Sequence, residues 1–341
     1  MIDRLPRLHG GPDARGAAQW DFSTNANAAG PCPAALSALQ RADATRYPDP
    51  GYQALRERLA AWHGVAPERI VPAASASEFI QRITAVGARI APGPVQVPRH
   101  AYGDYGAAAR AGGRAVLVDG DEHHGPAVSL RWYADPSSPL GQDAAPPAEP
   151  GACATVLDAV YAPLRLEGRS GWDGEARSAV FELHSPNKAL GLPGVRAAYA
   201  IAPRASGAAG AWWRDALAAA EPSWPIGAHG VAMLEAWSDD STQQWLAAQR
   251  ETLRHWKGLL LALLDEVGAE CRPSVTPFVC VRLPSGATPA ALRVQGIRVR
   301  DAASFGLPGW VRLSVQPPAA LAALREAIGA LHHESTRKAH R

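Results

Sequence analysis

The sequence predicts an α/β fold, with a large domain on a mostly parallel sheet and a smaller α+β domain after it. Three observations carry this. Short apolar runs alternate with helical patterns from about residue 70 to 205, and strands separated by helices form parallel sheets covered on both faces. Past residue 205 the texture changes to long helical patterns and then to three further strand-like runs. The chain has 341 residues, 47% hydrophobic and 19% charged, enough for two domains with a sizeable core. The expected division is an N-terminal arm at 1–39 that joins the small domain, a large domain at 40–225 and a small C-terminal domain at 226–341.

Residues 1–30 read as an extended arm, with turn formers at His9-Gly-Gly and Asp21-Phe-Ser-Thr-Asn-Ala-Asn27. Pro33–Gln40 reads as a short helix, and Arg46-Tyr47-Pro-Asp-Pro-Gly51 as a tight turn. Leu55, Leu59 and Trp62 have helical spacing within 52–63. Ile70-Val-Pro is a strand signal, and the small residues Ala73–Ser77 open a helix after it. Such a helix start offers free N–H groups to an anion. Strands follow at 93–97, 115–118, 130–134, 155–158, 178–183 and 197–202, with an Ala-rich helix after Tyr105 and a Pro/Ala-rich loop at 142–152. Helices are expected at 209–220 and 228–266, the latter broken near 239–241. Strands at 278–283, 297–300 and 310–315 and a helix at 319–332 complete the chain, before a charged, frayed tail from Glu334.

Several function classes are excluded. A net charge of +2, with no long basic run, argues against nucleic acid. The opening residues lack the apolar core of a signal peptide, and the apolar run around 258–264 is too short to span a membrane. Cys32, Cys153, Cys271 and Cys280 form no CxxC pair and have no His cluster near them. They read as reduced thiols of a cytoplasmic protein with no metal site.

The chemistry centres on Ser185-Pro-Asn-Lys188-Ala-Leu-Gly191-Leu-Pro-Gly194-Val-Arg196. A lysine between a serine and an arginine, with glycines between, suits a phosphorylated aldehyde cofactor. The amine forms a Schiff base, and the hydroxyl and guanidinium grip the phosphate. A cofactor of that kind needs a carboxylate beside its ring nitrogen. Asp158, ending a buried strand, is the candidate. Tyr161, three residues on, can reach the ring's phenolic oxygen, and Tyr102 offers an aromatic face. Arg312 suits a substrate carboxylate.

This segment and constellation resemble the fold-type I pyridoxal-phosphate (PLP) enzymes of the aminotransferase class I/II superfamily. The resemblance covers nearly the whole chain and lies in the histidinol-phosphate aminotransferase branch. His9-Gly-Gly, Asp21–Asn27 and Val299–Gly306 are most similar to the threonine-phosphate decarboxylases of cobalamin synthesis. It implies PLP on Lys188 within residues 40–225, and a phosphate cup from Ser75, Ala76, Ser185 and Arg196. Tyr47 would reach the phosphate of a neighbouring subunit, in a homodimer with shared sites. Asn27 and Arg312 would contact the substrate carboxylate, and Arg300 the substrate's own phosphate, with His9 and Gly10 completing the pocket. Two positions depart from the family. Ser138, in Asp135-Pro-Ser-Ser-Pro-Leu-Gly141, stands where an asparagine usually meets the ring oxygen, and Asn187 stands where serine is usual. The leading expectation is decarboxylation of threonine phosphate. The alternatives are transamination of the histidinol-phosphate type and a PLP-binding module without turnover.

Overall fold

A computed structural model of the chain describes residues 9–149, 153–204 and 208–339. The expectations for residues 1–8 and 150–152 lie outside the described residues. The arm contributes β1 (Trp20–Asp21), and α1 (Pro33–Arg41) and α2 (Gln53–His63) follow. Strand and helix then alternate through β2 (Ile70–Ala73), α3 (Ala76–Ile90), β3 (Val95–Val97), α4 (Gly103–Ala111), β4 (Val116–Val118), β5 (Leu130–Ala134), β6 (Ala154–Asp158), α5 (Gly174–Ser178), β7 (Phe181–His184) and β8 (Ala198–Ile201). Next come α6 (Ala208–Ala219), α7 (Ala228–Trp237) and α8 (Asp240–Glu266). The last part holds β9 (Glu270–Cys271), β10 (Phe278–Arg282), α9 (Pro289–Val294), β11 (Ile297–Arg298), β12 (Arg300–Asp301), β13 (Val311–Ser314) and α10 (Pro318–Ala339).

Seven strands form one sheet in the order β2-β8-β7-β6-β5-β3-β4. From β4 to β7 every pairing is parallel, and β8 is antiparallel to both β7 and β2. The chain therefore has the mostly parallel α/β architecture expected of it. Helix α3 shows why its sequence folds this way. Phe79, Ile80, Ile83 and Val86 recur at helical spacing and pack on Val95, Leu130, Val156 and Phe181 of the sheet. Ser75 caps the helix by accepting from the Glu78 N–H at 3.0 Å, and the Glu78 carboxylate accepts from the Ala74 N–H at 3.1 Å. On the opposite face, Leu55 and Leu59 of α2 join Ile70, Tyr199 and Met233 in a second core.

A four-stranded sheet, β12-β13-β10-β9, is antiparallel throughout, and β1 of the arm pairs in parallel with β11. The strand expected at 297–300 is split. Ile297–Arg298 pairs with β1, and Arg300–Asp301 with β13, so the chain changes sheets at the buried Val299. Ser178 does not open a strand but closes α5, which Asp173 caps through the Ala176 N–H. The expected tail is helical, with α10 running on to Ala339. The break near 239–241 is present, between α7 and α8.

The arm is sewn to the segment after β7. The Asn27 N–H donates to the Lys188 carbonyl at 2.8 Å, and the Cys32 N–H to the Leu190 carbonyl at 2.8 Å. The Asn27 side chain donates to the Ala189 carbonyl at 3.0 Å and accepts from the Ala29 N–H at 3.0 Å. Gly191 permits this approach. Its φ is +68°, and a Cβ there would lie 3.1 Å from Pro31 Cα and 3.2 Å from the Asn27 carbonyl oxygen.

Behind β7 lies a polar layer. His63 Nε2 and the Trp237 indole N–H both meet the Tyr199 hydroxyl, at 2.9 and 3.2 Å, and His184 stacks on the Tyr199 ring. Burial and the neighbouring His184 push His63 down from 6.5 to about 3. Burial alone would raise Glu182, but His184 and Arg177 outweigh it and hold the carboxyl at about 2, below its ordinary 4.5.

Two predictions follow from these contacts. Asn27→Ala leaves a buried carbonyl and N–H unpaired, so urea denaturation should show a loss of about 1–3 kcal/mol; unchanged stability would contradict the stitching. On acidification the unfolded chain takes up protons that folded His63 and Glu182 refuse. Stability from His63 should therefore fade as pH drops from 6.5 towards about 3, and that from Glu182 from 4.5 towards about 2. His63→Gln keeps a partner for Tyr199 without the charge. It should flatten the acid limb of the melting midpoint above pH 4.5, and an unaltered limb would refute that assignment.

Candidate active site

In an open parallel sheet, ligands bind beyond the C-terminal ends of the strands. Here Tyr102 follows β3, Ser138 follows β5, Asp158 ends β6 and Lys188 follows β7. All four line one cavity of about 1430 Å³, together with Ala76, Tyr161, Ser185, Arg196, His9, Gly10, Arg300 and Arg312. Three expected residues lie outside that lining. Ser75 sits just behind it as the α3 cap, Asn27 binds the Lys188 segment, and Tyr47 is 78% exposed and stacked on Trp224 at 4.4 Å.

The chain has three lysines, at 188, 257 and 338. Lys257 is buried, with its ammonium on Glu167 at 2.6 Å and on the Ser274 carbonyl. Lys188 instead projects into the cavity, its Nζ 4.8 Å from the centroid of the Tyr161 ring. Its segment is rigid. The Ser185 hydroxyl faces the Ala197 carbonyl at 3.2 Å and Asn187 Oδ1 at 3.1 Å. The Asn187 amide donates to the Pro193 and Val195 carbonyls, and the Leu192 N–H to the Asn187 carbonyl at 2.7 Å. Asn187, at the position where serine was expected, thus closes the turn that carries the lysine.

Asp158 is held on both oxygens. Oδ1 accepts from the Val160 N–H at 3.0 Å, and Oδ2 from the Tyr105 hydroxyl at 2.5 Å. Tyr105 is fully buried and stacks on Trp132 at 4.4 Å with 9° between the planes. Sequence reasoning missed it, although Tyr102-x-x-Tyr105 has the spacing that puts two rings on one helical face. Ser77, not Ser75, presents its hydroxyl to the cavity, 3.1 Å from the Tyr102 hydroxyl. Burial and the nearby Asp104 raise the Tyr102 phenol well above its usual range, so it stays protonated at neutral pH.

Tyr161 behaves differently. Burial raises its phenol, but Lys188 and Arg312 outweigh this and hold it below its ordinary value. Arg312 is buried, and its guanidinium donates to the Ser138 hydroxyl at 3.0 Å and the Ser23 carbonyl at 3.1 Å. Arg300 stands directly opposite it across β12 and β13. Arg300 donates to the Asp301 carbonyl at 2.6 Å and the Ser304 hydroxyl at 2.8 Å, and lies over the Phe305 ring. Burial and the facing Arg312 lower it to about 10, still charged at neutral pH. Like charges opposed on adjacent strands repel, so the pair favours an anionic ligand.

These residues fit pyridoxal phosphate. An amine, a strand-end carboxylate, a phenol and a small-residue helix start face one space. Among the described residues, no group of three or more His, Cys, Asp or Glu could hold a metal ion, and no helix is long and apolar enough to cross a membrane.

Comparison with known proteins agrees with this geometry. Residues 151–331, more than half of the chain, match the family model for aminotransferase class I and II. A histidinol-phosphate aminotransferase of Jannaschia sp. is 29% identical over 327 residues, covering 87% of each chain. The Sinorhizobium meliloti histidinol-phosphate aminotransferase, solved in complex with pyridoxal-5'-phosphate, superposes with a TM-score of 0.77 at 20% identity, covering 97% of this chain and 99% of that one. The L-threonine-O-3-phosphate decarboxylase of Porphyromonas gingivalis superposes with a TM-score of 0.75 at 22% identity, covering 92% and 99%. The chain belongs to the aminotransferase class I and II family of pyridoxal-phosphate-dependent enzymes.

Proposed function

We propose that the protein is a transaminase for a phosphorylated amine, of the histidinol-phosphate type, with its cofactor attached to Lys188. The observation that carries this reading is the pair of buried arginines, Arg300 and Arg312, opposed across two strands in the cavity that holds Lys188. The curated relatives favour transamination over the decarboxylation expected first from the sequence.

Each residue then has a task. Asp158, fixed by Tyr105 and the Val160 N–H, holds a proton on the ring nitrogen. Tyr102 would offer its aromatic face to the ring, and the α3 N-terminus with Ser77 and Arg196 would hold the cofactor phosphate. Arg312 pairs with an amino-acid carboxylate, and Arg300 with Ser304 and His9 takes the substrate's phosphate. The cofactor supplies an electron sink for the charge left when a bond at the substrate α-carbon breaks. The Lys188 amine would serve as the general base that moves the proton at that carbon. Tyr47, exposed beside Trp224, reaches the phosphate site of a second copy in a homodimer.

A second reading keeps one observation in its favour. Two opposed arginines also suit a single substrate bearing both carboxylate and phosphate, such as threonine phosphate.

The test is mass-spectrometric. Histidinol phosphate with 2-oxoglutarate should yield glutamate, and threonine phosphate alone should keep its carboxylate. Loss of CO2 from threonine phosphate without an acceptor would overturn transamination in favour of the second reading. Arg300→Ala should cut kcat/KM about tenfold to a hundredfold for the phosphorylated amine and spare its dephosphorylated analogue, as expected for one lost charged hydrogen bond. Equal losses on both would remove the phosphate assignment.

A further inference from the structure

Asn25 is 3% exposed and lines the cavity, and among the described residues its amide makes no hydrogen bond of normal geometry, only a looser interaction with the Tyr161 hydroxyl. A buried amide short of hydrogen-bond partners is costly, and in a native structure it calls for a group that completes it. The amide stands against the Tyr161 hydroxyl, in the cluster that Lys188 and Arg312 also face. Its backbone is held on both sides. Asp21 accepts from the Ser23 N–H at 2.8 Å and the Thr24 hydroxyl at 2.7 Å, and the Asn27 N–H is fixed on the Lys188 carbonyl. The open amide is therefore built in place.

The ligand's chemistry selects the partner. When the aldehyde carbon is joined to Lys188 Nζ, the ring's phenolic oxygen sits on the adjacent ring carbon. Groups that face Nζ then also face that oxygen. The Tyr161 hydroxyl is such a group, and the Asn25 amide stands against that hydroxyl. Ser138, whose oxygen accepts from Arg312 at 3.0 Å, keeps its O–H as a further donor in the same cavity. We infer that Asn25 donates its amide N–H to the phenolic oxygen of the cofactor, beside Tyr161. This rests on the reading that the cofactor is attached to Lys188. The contact stabilises negative charge on the ring oxygen and so loosens its hold on the proton of the Lys188-linked nitrogen.

The experiment uses the holoenzyme. The visible absorption of the Lys188-linked cofactor is titrated against pH in the wild type and in Asn25→Ala and Asn25→Asp, with folding checked by circular dichroism. Losing the donor should raise the titration midpoint by about one to two pH units. Asn25→Asp, of the same shape but with an acceptor towards the oxygen, should raise it at least as far. Equilibrium dialysis should show pyridoxal phosphate held about tenfold to a hundredfold more weakly by Asn25→Ala. The 3-deoxy analogue, which lacks that oxygen, should bind wild type and variant alike. An unshifted midpoint with a raised KM would overturn the inference and make Asn25 a substrate contact. An equal loss of affinity for the 3-deoxy analogue would overturn it too. Failure of the wild type to form any Lys188-linked chromophore would instead refute the functional reading beneath it.

Discussion

Of the basic side chains that line one cavity, Lys188, Arg300 and Arg312 are the ones that much of the architecture serves to keep there. Buried charge is costly unless it is paired or hydrogen-bonded. The protein offsets the cost with carbonyls and aromatic faces. Arg312 holds the Ser23 carbonyl and lies 5.5 Å from the Phe278 ring, Arg300 holds the Asp301 carbonyl and covers Phe305, and Lys188 faces Tyr161. Arg300 and Arg312 stand opposed as like charges on adjacent strands, an arrangement that favours an anionic ligand.

The cluster depends on three separate parts of the chain. β7 delivers Lys188, the paired strands β12 and β13 deliver the two arginines, and the arm closes over both. The arm is therefore part of the site and not a trailing end. Its Ser23 carbonyl receives Arg312, its Asn27 ties down the lysine segment, and Gly191 lets the two backbones meet. Behind β7, the layer of His63, His184 and Tyr199 supports the strand that ends one residue before Ser185.

Much of this was legible in the sequence, because strand ends are easy to find and ligands gather there. The alternation of apolar runs and helical patterns placed Asp158, Tyr102, Ser138 and Lys188 at one edge of a sheet. Finer choices were not legible. Asn25 and Asn27 have equal claims on paper, since alternate residues of an extended segment share a side. The turn at Ala29, whose N–H donates to the Asn27 side-chain amide oxygen, takes Asn27 out of the cavity and leaves Asn25 in it. Ser75 and Ser77 divide for a related reason: an N-cap hydroxyl folds back on its own helix, while one two positions later points away. The split of 297–300 between two sheets depends on the arm, whose pairing no local pattern announces.

The central claim is that this cavity exists to hold pyridoxal phosphate on Lys188. Borohydride reduction of the purified holoenzyme, followed by peptide mapping, tests it most directly, since the chain offers three lysines. The account predicts the reduced pyridoxyl group on Lys188 alone. Its appearance on Lys257 or Lys338, or on no lysine at all, would contradict it.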